Sequence, residues 1–213
     1  METIDKEESV KKSGFNTSQA NLIVVDNFYS DPDAIREYAI NNLSFQTSNY
    51  HKGKRTKPFI LDGTKERLEQ ILGRKIANWN HPGYANGVFQ YCTPEDLIVY
   101  HIDKQMFAGV VFLTPNAPLR CGTQTFKSKV NGVTRFPVDA LDQASFDAVF
   151  KAGASGKEYN FYDSTHLDVV DSIANVYNRL LLWDARAIHA AEKYFGNSIH
   201  NSRLFQVFFF DFE

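Results

Sequence analysis

The chain has 213 residues, which is enough for one domain of ordinary size with a substantial apolar core. Its apolar fraction of 43% and charged fraction of 23% are typical of a soluble globular protein. The formal net charge of −2 argues against a broad electrostatic contact with nucleic acid, and no apolar run has the length of a membrane span. We therefore expect neither nucleic acid nor a membrane as a partner.

Residues 1–20 are polar and charged and contain no hydrophobic segment of the kind found in a secretory signal, so they predict a flexible N-terminal tail. The chain contains two cysteines, Cys92 and Cys121. Without an export signal, free thiols in a reducing cytoplasm are expected in preference to a disulfide. The predicted localisation is therefore cytoplasmic.

A single domain is predicted over residues 21–213, because no linker or internal repeat divides this part of the chain. It begins with a strand at Leu22–Val25. A possible capping residue and a proline then precede a helix predicted over residues 34–42. Apolar residues recur at helical spacing over residues 64–76, which predicts a second helix there.

From residue 87 onward, short runs rich in aromatic and β-branched residues alternate with turn residues. The aromatic content of 14% also favours strands. Strands are predicted at residues 88–92, 97–103, 107–113 and 123–128. Strands this short with turns between them indicate a sandwich or a barrel.

The pattern changes over residues 129–177, which we interpret as an insertion and a candidate lid. Within it, helices are predicted over residues 139–150 and 166–177. Two long strands, at residues 179–190 and 202–212, are predicted to close the chain.

The first candidate site residues are His101 and Asp103, in His101-Ile-Asp103. On a strand, residues two apart point to the same face, so this imidazole and this carboxylate can converge on one metal ion. A polar strand end that meets water is the alternative explanation for the same pair.

The second candidate is His189, which ends a nearly apolar predicted strand. As a third ligand it would complete two imidazoles and one carboxylate on one side of a metal. That set leaves three positions open, which suits iron(II) that must also bind a co-substrate and O₂. A satisfied core histidine is the alternative for His189. His200 is a rival third ligand, although its loop position favours a surface or supporting role.

The third candidate is Arg203, which opens the last predicted strand and shares a face with Phe205, Val207 and Phe209. An arginine on an apolar face needs an anionic partner, and a carboxylate matches its planar fork. No acidic residue is its obvious partner in the sequence, so a bound dicarboxylate is attractive. The alternative is an arginine whose head group reaches water.

The order and spacing of these residues resemble the double-stranded β-helix Fe(II)/2-oxoglutarate oxygenases, especially the prolyl-hydroxylase-like and phytanoyl-hydroxylase-like branches. His-x-Asp comes early, His189 comes near the end, and Arg203 follows that histidine by fourteen positions. Ile23-Val-Val-Asp-Asn-Phe-Tyr-Ser-Asp-Pro32 is similar to the strand and helix that precede this fold. Asn178-Arg-Leu-Leu-Leu-Trp183 is similar to the strand that leads into the distal histidine.

The resemblance implies a mainly β fold with flanking helices: a double-stranded β-helix (jelly-roll, cupin-like) core with N-terminal helices and a helical insertion. It implies that His101, Asp103 and His189 bind Fe(II), and that Arg203 binds the far carboxylate of 2-oxoglutarate. With O₂ as oxidant, the expected reaction is hydroxylation of an unactivated C–H bond, with release of succinate and CO₂. Because a carboxylate ligand is retained, hydroxylation or a related oxidation is expected in preference to halogenation.

The expected substrate is an amino acid, a peptide side chain or a small metabolite. Tyr91, Tyr100 and Gln206 are candidate contacts to 2-oxoglutarate, although a buried tyrosine is also an ordinary core residue. Arg55, within a locally basic stretch, and Arg120 are candidate contacts to the substrate. A solvated loop is the alternative for the basic stretch.

Two other functions fit part of the pattern. A cupin-like barrel that binds a metal or a sugar without oxidising anything shares the architecture. Such a protein would not need Arg203 at this distance from His189. A nucleic-acid demethylase of the same fold is disfavoured by the net charge and by the absence of a long basic stripe.

Overall fold

The computed structural model describes residues 20–47, 52–129, 132–135 and 163–213 of the chain. In these ranges the chain forms two β-sheets and two α-helices, so the mainly β architecture expected from the sequence is confirmed. No described helix is long and apolar enough to cross a membrane. Nearly all of the predicted N-terminal tail and the helix predicted over residues 139–150 lie outside the described residues.

The strands are, in chain order, β1 (Leu22–Val25), β2 (Gln46–Thr47), β3 (Lys54–Arg55), β4 (Ile76–Ala77), β5 (Val88–Cys92), β6 (Phe107–Phe112), β7 (Thr123–Ser128), β8 (Leu167–Ile173), β9 (Leu180–Asp184), β10 (His189–Ala191) and β11 (Arg203–Phe212). The larger sheet has the order β1-β9-β6-β11-β5-β3-β2, and β4 pairs with β11. The smaller sheet has the order β10-β7-β8. All neighbouring strands in both sheets are antiparallel.

Both N-terminal helices form where the sequence predicts them. Helix α1 (Pro32–Asn42) begins after Asp31, whose side chain accepts a hydrogen bond from the Ala34 N–H at 2.9 Å. Helix α2 (Thr64–Leu72) is shorter than predicted, because Gly73 adopts a left-handed conformation that ends it. The chain that follows leaves the helix and pairs with β11 as β4.

Strand β11 shows how the layers pack. Its residues alternate between two faces of the larger sheet. Leu204 and Phe208 belong to a buried cluster that includes Leu68 of α2. Phe205 and Val207 belong to a second cluster on the other face, together with Ile173 of the smaller sheet. The helices therefore cover one face of the larger sheet, and the other face encloses the interior between the two sheets.

The helix predicted over residues 166–177 is wrong. Residues Leu167–Ile173 form β8, which pairs with β7 around an irregularity at Thr125 and Phe126. Most of β8 is exposed, so its apolar residues at helical spacing do not mark a buried helical face. Pairing with β7 decides the conformation here, and the proposed insertion contains a strand of the smaller sheet.

Two predicted strands are also corrected. Residues 97–103 are not a continuous strand, because only His101 makes an isolated bridge, to His189. The long strand predicted at residues 179–190 is two strands, β9 and β10. Between them the chain turns, with the Ala187 N–H donating to the Asp184 carbonyl at 2.9 Å. This turn carries the chain from the larger sheet to the smaller one.

Both cysteines are free, as the sequence predicts, and the structure shows that both are buried. The cytoplasmic localisation stays a prediction. Burial raises the pKa of each thiol, so the neutral form is favoured. Neither cysteine is among the described residues grouped as potential metal ligands.

We expect Asp184→Asn to lower the free energy of unfolding by about 3–5 kcal/mol. Asp184 is 1% exposed and pairs with Arg135 at 2.7 Å and with Arg186 at 3.3 Å. Loss of its charge leaves two largely buried guanidinium groups without their carboxylate. Urea unfolding measures the effect. Asp26→Asn is the control, because Asp26 is 54% exposed in its pair with Arg179 and should contribute below about 1 kcal/mol. Equal effects of the two substitutions would contradict this account.

Candidate active site

His101, Asp103 and His189 come together where the loop before β6 meets the start of β10. The backbones of the two histidines are joined by a pair of hydrogen bonds, of 3.1 Å and 2.9 Å. The Asp103 N–H donates to the Ala185 carbonyl at 2.8 Å. The turn between β9 and β10 therefore fixes all three residues, although the predicted strand at residues 97–103 does not form.

The three side chains offer ligand atoms that all lie within 4.8 Å of one another. His189 Nε2 is 3.3 Å from Asp103 Oδ2, and His101 Nε2 is 3.8 Å from Asp103 Oδ1. The two imidazole ring centres are 4.3 Å apart. His189 is buried, whereas His101 and Asp103 are partly exposed at the cavity.

Each imidazole has its proton placed away from this cluster. His101 Nδ1 lies 2.9 Å from the Val99 carbonyl, and His189 Nδ1 lies 2.8 Å from the Ala187 carbonyl. A carbonyl can only accept, so each Nδ1 donates and the neutral ring keeps a lone pair on Nε2. Burial, reinforced by the nearby His189, lowers the pKa of His101 and favours its neutral form.

The cluster fits a metal cation. Two Nε2 lone pairs and a carboxylate face one another. All three groups carry electron density on the facing atoms, so they repel one another unless a cation lies between them. Asp103 Oδ2 is buried, and its 3.3 Å contact with His189 Nε2 does not have hydrogen-bond geometry, so no described residue donates a well-formed hydrogen bond to it. Buried polar atoms normally have partners, and a cation would supply the missing one. Two imidazoles and one carboxylate on one side form the donor set that suits iron(II) with open positions.

A cavity of about 380 Å³ adjoins the three residues. Arg203, the first residue of β11, lines the same cavity, as do Phe205, Val207 and Phe209. The sequence predicted that these four side chains share one face of the last strand. Strand β11 therefore presents an arginine and an apolar wall to the space beside the candidate metal ligands.

Arg203 is 3% exposed, and its side-chain hydrogen bonds go to residues 121–123, at the start of β7. Its Nε donates to the Cys121 carbonyl at 3.0 Å, and its Nη2 lies 3.2 Å from Thr123 Oγ1. The guanidinium lies 4.4 Å from the centre of the Phe205 ring. Burial lowers the pKa of Arg203, yet no carboxylate pairs with it among the described residues. A buried cation without an acidic partner needs an anion, and a bound carboxylate would supply one.

Gly122 permits the smaller sheet to approach this arginine closely. A Cβ at Gly122 would lie 1.8 Å from the Ile173 carbonyl oxygen, so only glycine fits between β7 and β8. The Gly122 carbonyl lies 3.4 Å from Arg203 Nη2. Gly122 therefore lets β7 and β8 come together next to the Arg203 guanidinium.

The three predicted contacts to 2-oxoglutarate lie outside the cavity. Tyr91 packs with the helix-side cluster, and Tyr100 packs against Phe126 with ring centres 5.3 Å apart. Gln206 faces the helices, where its Nε2 donates to the Phe59 carbonyl at 2.7 Å. The structure therefore does not support their predicted contacts with 2-oxoglutarate.

Arg120 and His200 are also remote from the cavity. The Arg120 side chain is 91% exposed and pairs with Glu192 at 3.1 Å. His200 lies in an exposed loop, where its carbonyl accepts a hydrogen bond from Arg36 at 2.6 Å. The structure groups His189, and not His200, with His101 and Asp103. Arg55, the other predicted substrate contact, does line the cavity.

Gln90 and Tyr194 are among the cavity residues that the sequence did not predict. Gln90 follows from alternation along β5, because Val88, Gln90 and Cys92 share the face opposite to Tyr91. Tyr194 lies in the loop between β10 and β11, with its ring centre 6.0 Å from the Arg203 guanidinium. No strand periodicity places a loop residue, so only the tertiary structure reveals Tyr194.

No family model matches the sequence, and none of the curated proteins is significantly similar to it. Solved structures do match. HygX from Streptomyces hygroscopicus, solved with nickel and 2-oxoglutarate bound, is 12% identical, with a TM-score of 0.52 and coverage of 98% of this chain and 86% of HygX. The non-haem α-ketoglutarate-dependent carbocyclase SnoK, from nogalamycin biosynthesis, is 10% identical, with a TM-score of 0.54 and coverage of 94% and 86%.

HygX has been solved with iron and with 2-oxoglutarate bound, SnoK is a non-haem α-ketoglutarate-dependent enzyme, and the chain shares the fold of both. The similarity confirms the fold resemblance and the β-sandwich or jelly-roll core expected from the sequence. At these sequence identities it establishes the fold alone. What the candidate site does in this chain depends on the chain's own residues.

Proposed function

We propose that the chain is a non-haem Fe(II)- and 2-oxoglutarate-dependent dioxygenase that hydroxylates an unactivated C–H bond. One observation carries the proposal: His101, Asp103 and His189 converge beside a cavity that Arg203 also lines. Arg203 is buried there, and no carboxylate of the described residues pairs with it. In the balanced reaction, 2-oxoglutarate, O₂ and R–H give succinate, CO₂ and R–OH. The proposed substrate is an amino acid, a peptide side chain or a small metabolite.

The proposed role of the three clustered residues is to hold iron on one face. His101 and His189 donate through Nε2, because their Nδ1 protons are engaged by backbone carbonyls. Asp103 adds a negative charge. Bound iron would supply activation of O₂, which no protein side chain performs. The carbonyls of Val99 and Ala187 hold both rings in the orientation that directs Nε2 to the metal.

Arg203 is the proposed binding residue for the far carboxylate of 2-oxoglutarate. Its contacts with the smaller sheet fix the guanidinium, and Thr123 lies beside the same group. HygX has been solved with 2-oxoglutarate bound, so the shared fold accommodates this co-substrate. The apolar side chains that line the cavity would exclude water from the bound co-substrate. They are Val110, Trp183, Phe205, Val207 and Phe209.

Hydroxylation or a related oxidation is proposed over halogenation because Asp103 keeps a carboxylate at the candidate metal site. The alternative, a cupin-like protein that binds a metal or a sugar without oxidation, leaves Arg203 unexplained. A sugar is neutral, and burying a guanidinium against a neutral ligand does not compensate its charge. A dicarboxylate co-substrate does compensate it.

Production of succinate tests the proposal. The chain is incubated with Fe(II), ascorbate, O₂ and 2-oxoglutarate, together with amino acids and peptides in turn. We expect succinate to form only when Fe(II), O₂ and 2-oxoglutarate are all present, and to increase with a true substrate. Absence of succinate above the level in metal-free samples, across the whole panel and without any added substrate, would count against the dioxygenase.

A further inference from the structure

Arg55, on the short strand β3, is a second arginine in the cavity. Strand β3 pairs with β5, and this pairing places Arg55 opposite Gln90. Its neighbour on the strand, Lys54, is exposed and lies 5.7 Å from the centre of the Tyr91 ring, outside the cavity lining. Alternation along β3 therefore directs one cation toward the cavity and the next one away from it.

Gln90 fixes the position of the Arg55 guanidinium. Arg55 Nε donates to Gln90 Oε1 at 2.7 Å. Gln90 Nε2 in turn donates to the Lys52 carbonyl at 2.7 Å, which orients the amide. This leaves the two terminal amino groups of Arg55 without a hydrogen bond to any described residue. They form the edge of the guanidinium that pairs with two oxygens of one anion.

No carboxylate of the described residues forms an ion pair with Arg55. Burial lowers the pKa of Arg55, and the charge of Asp103 is one of the influences that oppose this shift. Asp103 is committed to the proposed metal, so it does not neutralise Arg55 in the loaded protein. A partly buried arginine without an anion is unfavourable, and a ligand that brings one would relieve this cost.

The charges of the cavity residues also favour an anionic ligand. The charged side chains of the cavity lining are Lys52, Arg55, Arg203 and Asp103, which together carry three positive charges and one negative charge. Fe(II) and 2-oxoglutarate carry opposite charges of equal size, so loading both leaves two positive charges in excess. The imidazoles add none, because metal ligands must be neutral. Since Arg203 is matched by the co-substrate, the excess lies on Lys52 and Arg55, and Arg55 is the one whose head group is positioned by Gln90.

We propose that the substrate carries an anionic group, a carboxylate or a phosphate, and that Arg55 binds this group. The inference rests on the proposed function, because it assigns the substrate side of the same cavity. A cavity of about 380 Å³ is near the lower end of the ~300–1,000 Å³ range of ligand sites. The space left beside 2-oxoglutarate therefore suits a small acid or one acidic side chain.

Anion binding to the loaded protein tests this inference. The protein holds saturating manganese(II) and 2-oxoglutarate, and it carries Trp79→Phe so that Trp183 is its only tryptophan. Trp183 lines the cavity, whereas Trp79 stacks on Phe208 on the helix side. Acetate and inorganic phosphate are the probes, and neutral acetamide is the control ligand. Trp183 fluorescence reports binding in the parent, in Arg55→Gln and in the matched control Lys54→Gln.

We expect saturable binding of at least one anion, about tenfold or more weaker in Arg55→Gln, which corresponds to at least about 1.4 kcal/mol. Lys54→Gln should bind like the parent, and acetamide should not bind. The anion that binds more tightly indicates whether the acidic group of the substrate is a carboxylate or a phosphate. Absence of saturable anion binding, or equal binding by Arg55→Gln, would overturn the inference. So would a loss of 2-oxoglutarate affinity in Arg55→Gln, because Arg55 would then belong to the co-substrate site.

A parallel measurement separates this inference from the proposed function. Anaerobic Fe(II) and 2-oxoglutarate are added to the same three proteins, and the visible charge-transfer band is recorded. A normal band without anion binding refutes only the role of Arg55. Absence of the band in the parent refutes the proposed function, and the inference fails with it. Thermal melts of the three proteins verify that Arg55→Gln remains folded.

Discussion

Replacing His189 by alanine is expected to abolish iron binding and succinate formation. His189 supplies one of three ligand atoms, and its ring packs edge-to-face on Trp183 at 5.0 Å, which fixes its orientation. Loss of a supporting residue beyond the ligands already costs about 10–100-fold in metal affinity, so loss of a ligand should cost at least about 100-fold. Equilibrium dialysis with Fe(II) or Mn(II) measures the affinity, and succinate measures the turnover.

His200→Ala is the matched control for this prediction. It removes the nearest other histidine in sequence, and His200 is exposed and outside the cluster. It should leave metal affinity and turnover unchanged. Asp103→Ala gives a second test at a less buried position, and we expect it to lose metal affinity and succinate formation to the same extent as His189→Ala. If His189→Ala folds and retains metal while His200→Ala loses it, the assignment of the third ligand is wrong.

Replacing Arg203 by methionine is expected to weaken 2-oxoglutarate binding with little effect on iron binding. Methionine keeps packing against Phe112 and Phe205 but removes the charge and the fork of donors. Truncating one partner of a buried hydrogen-bonded ion pair costs about 2–5 kcal/mol, or about 30-fold to several thousand-fold in Kd. Titration of 2-oxoglutarate into the Fe(II) protein under nitrogen measures the change.

Arg203→Lys is the graded control, because it keeps the charge but loses the two-point contact. Its 2-oxoglutarate affinity should fall between those of the parent and Arg203→Met. Metal affinity without 2-oxoglutarate should be equal in all three proteins. A folded Arg203→Met protein that binds 2-oxoglutarate like the parent would show that the arginine does not bind the co-substrate.

The candidate site was predictable from the sequence because its residues obey short-range rules. Arg203 and the apolar residues that follow at two-residue intervals share a face in any strand, whatever its partners are. His101 and Asp103 were placed on one side by the same rule, although hydrogen bonds to His189 and Ala185, and not a strand ladder, hold them in place. The two side chains therefore converge as the rule predicts, although the predicted strand does not form, and their role as metal ligands stays a prediction.

The parts of the fold that the sequence did not predict depend on pairing between distant segments, which no local pattern of residues shows. The turn after Asp184 moves the chain between sheets. Asp184 and Arg186 interrupt the otherwise apolar run at residues 180–188, but two charged residues do not by themselves indicate a change of sheet. Strand β8 has apolar residues at helical spacing, and only its partner β7 makes it a strand. The placement of Gln206 is different, because alternation from Arg203 already directs it to the opposite face. Strict use of that rule would have excluded Gln206 from the site.

Spectroscopy of the anaerobic protein with Fe(II) and 2-oxoglutarate tests the central claim most directly. If the two histidines and Asp103 hold iron beside Arg203, adding 2-oxoglutarate should produce a weak visible charge-transfer band that saturates with one equivalent. The band should be absent in His189→Ala and should require more 2-oxoglutarate in Arg203→Met. A folded parent protein that binds Fe(II) without developing the band, or that shows an equal band in His189→Ala, would contradict the account.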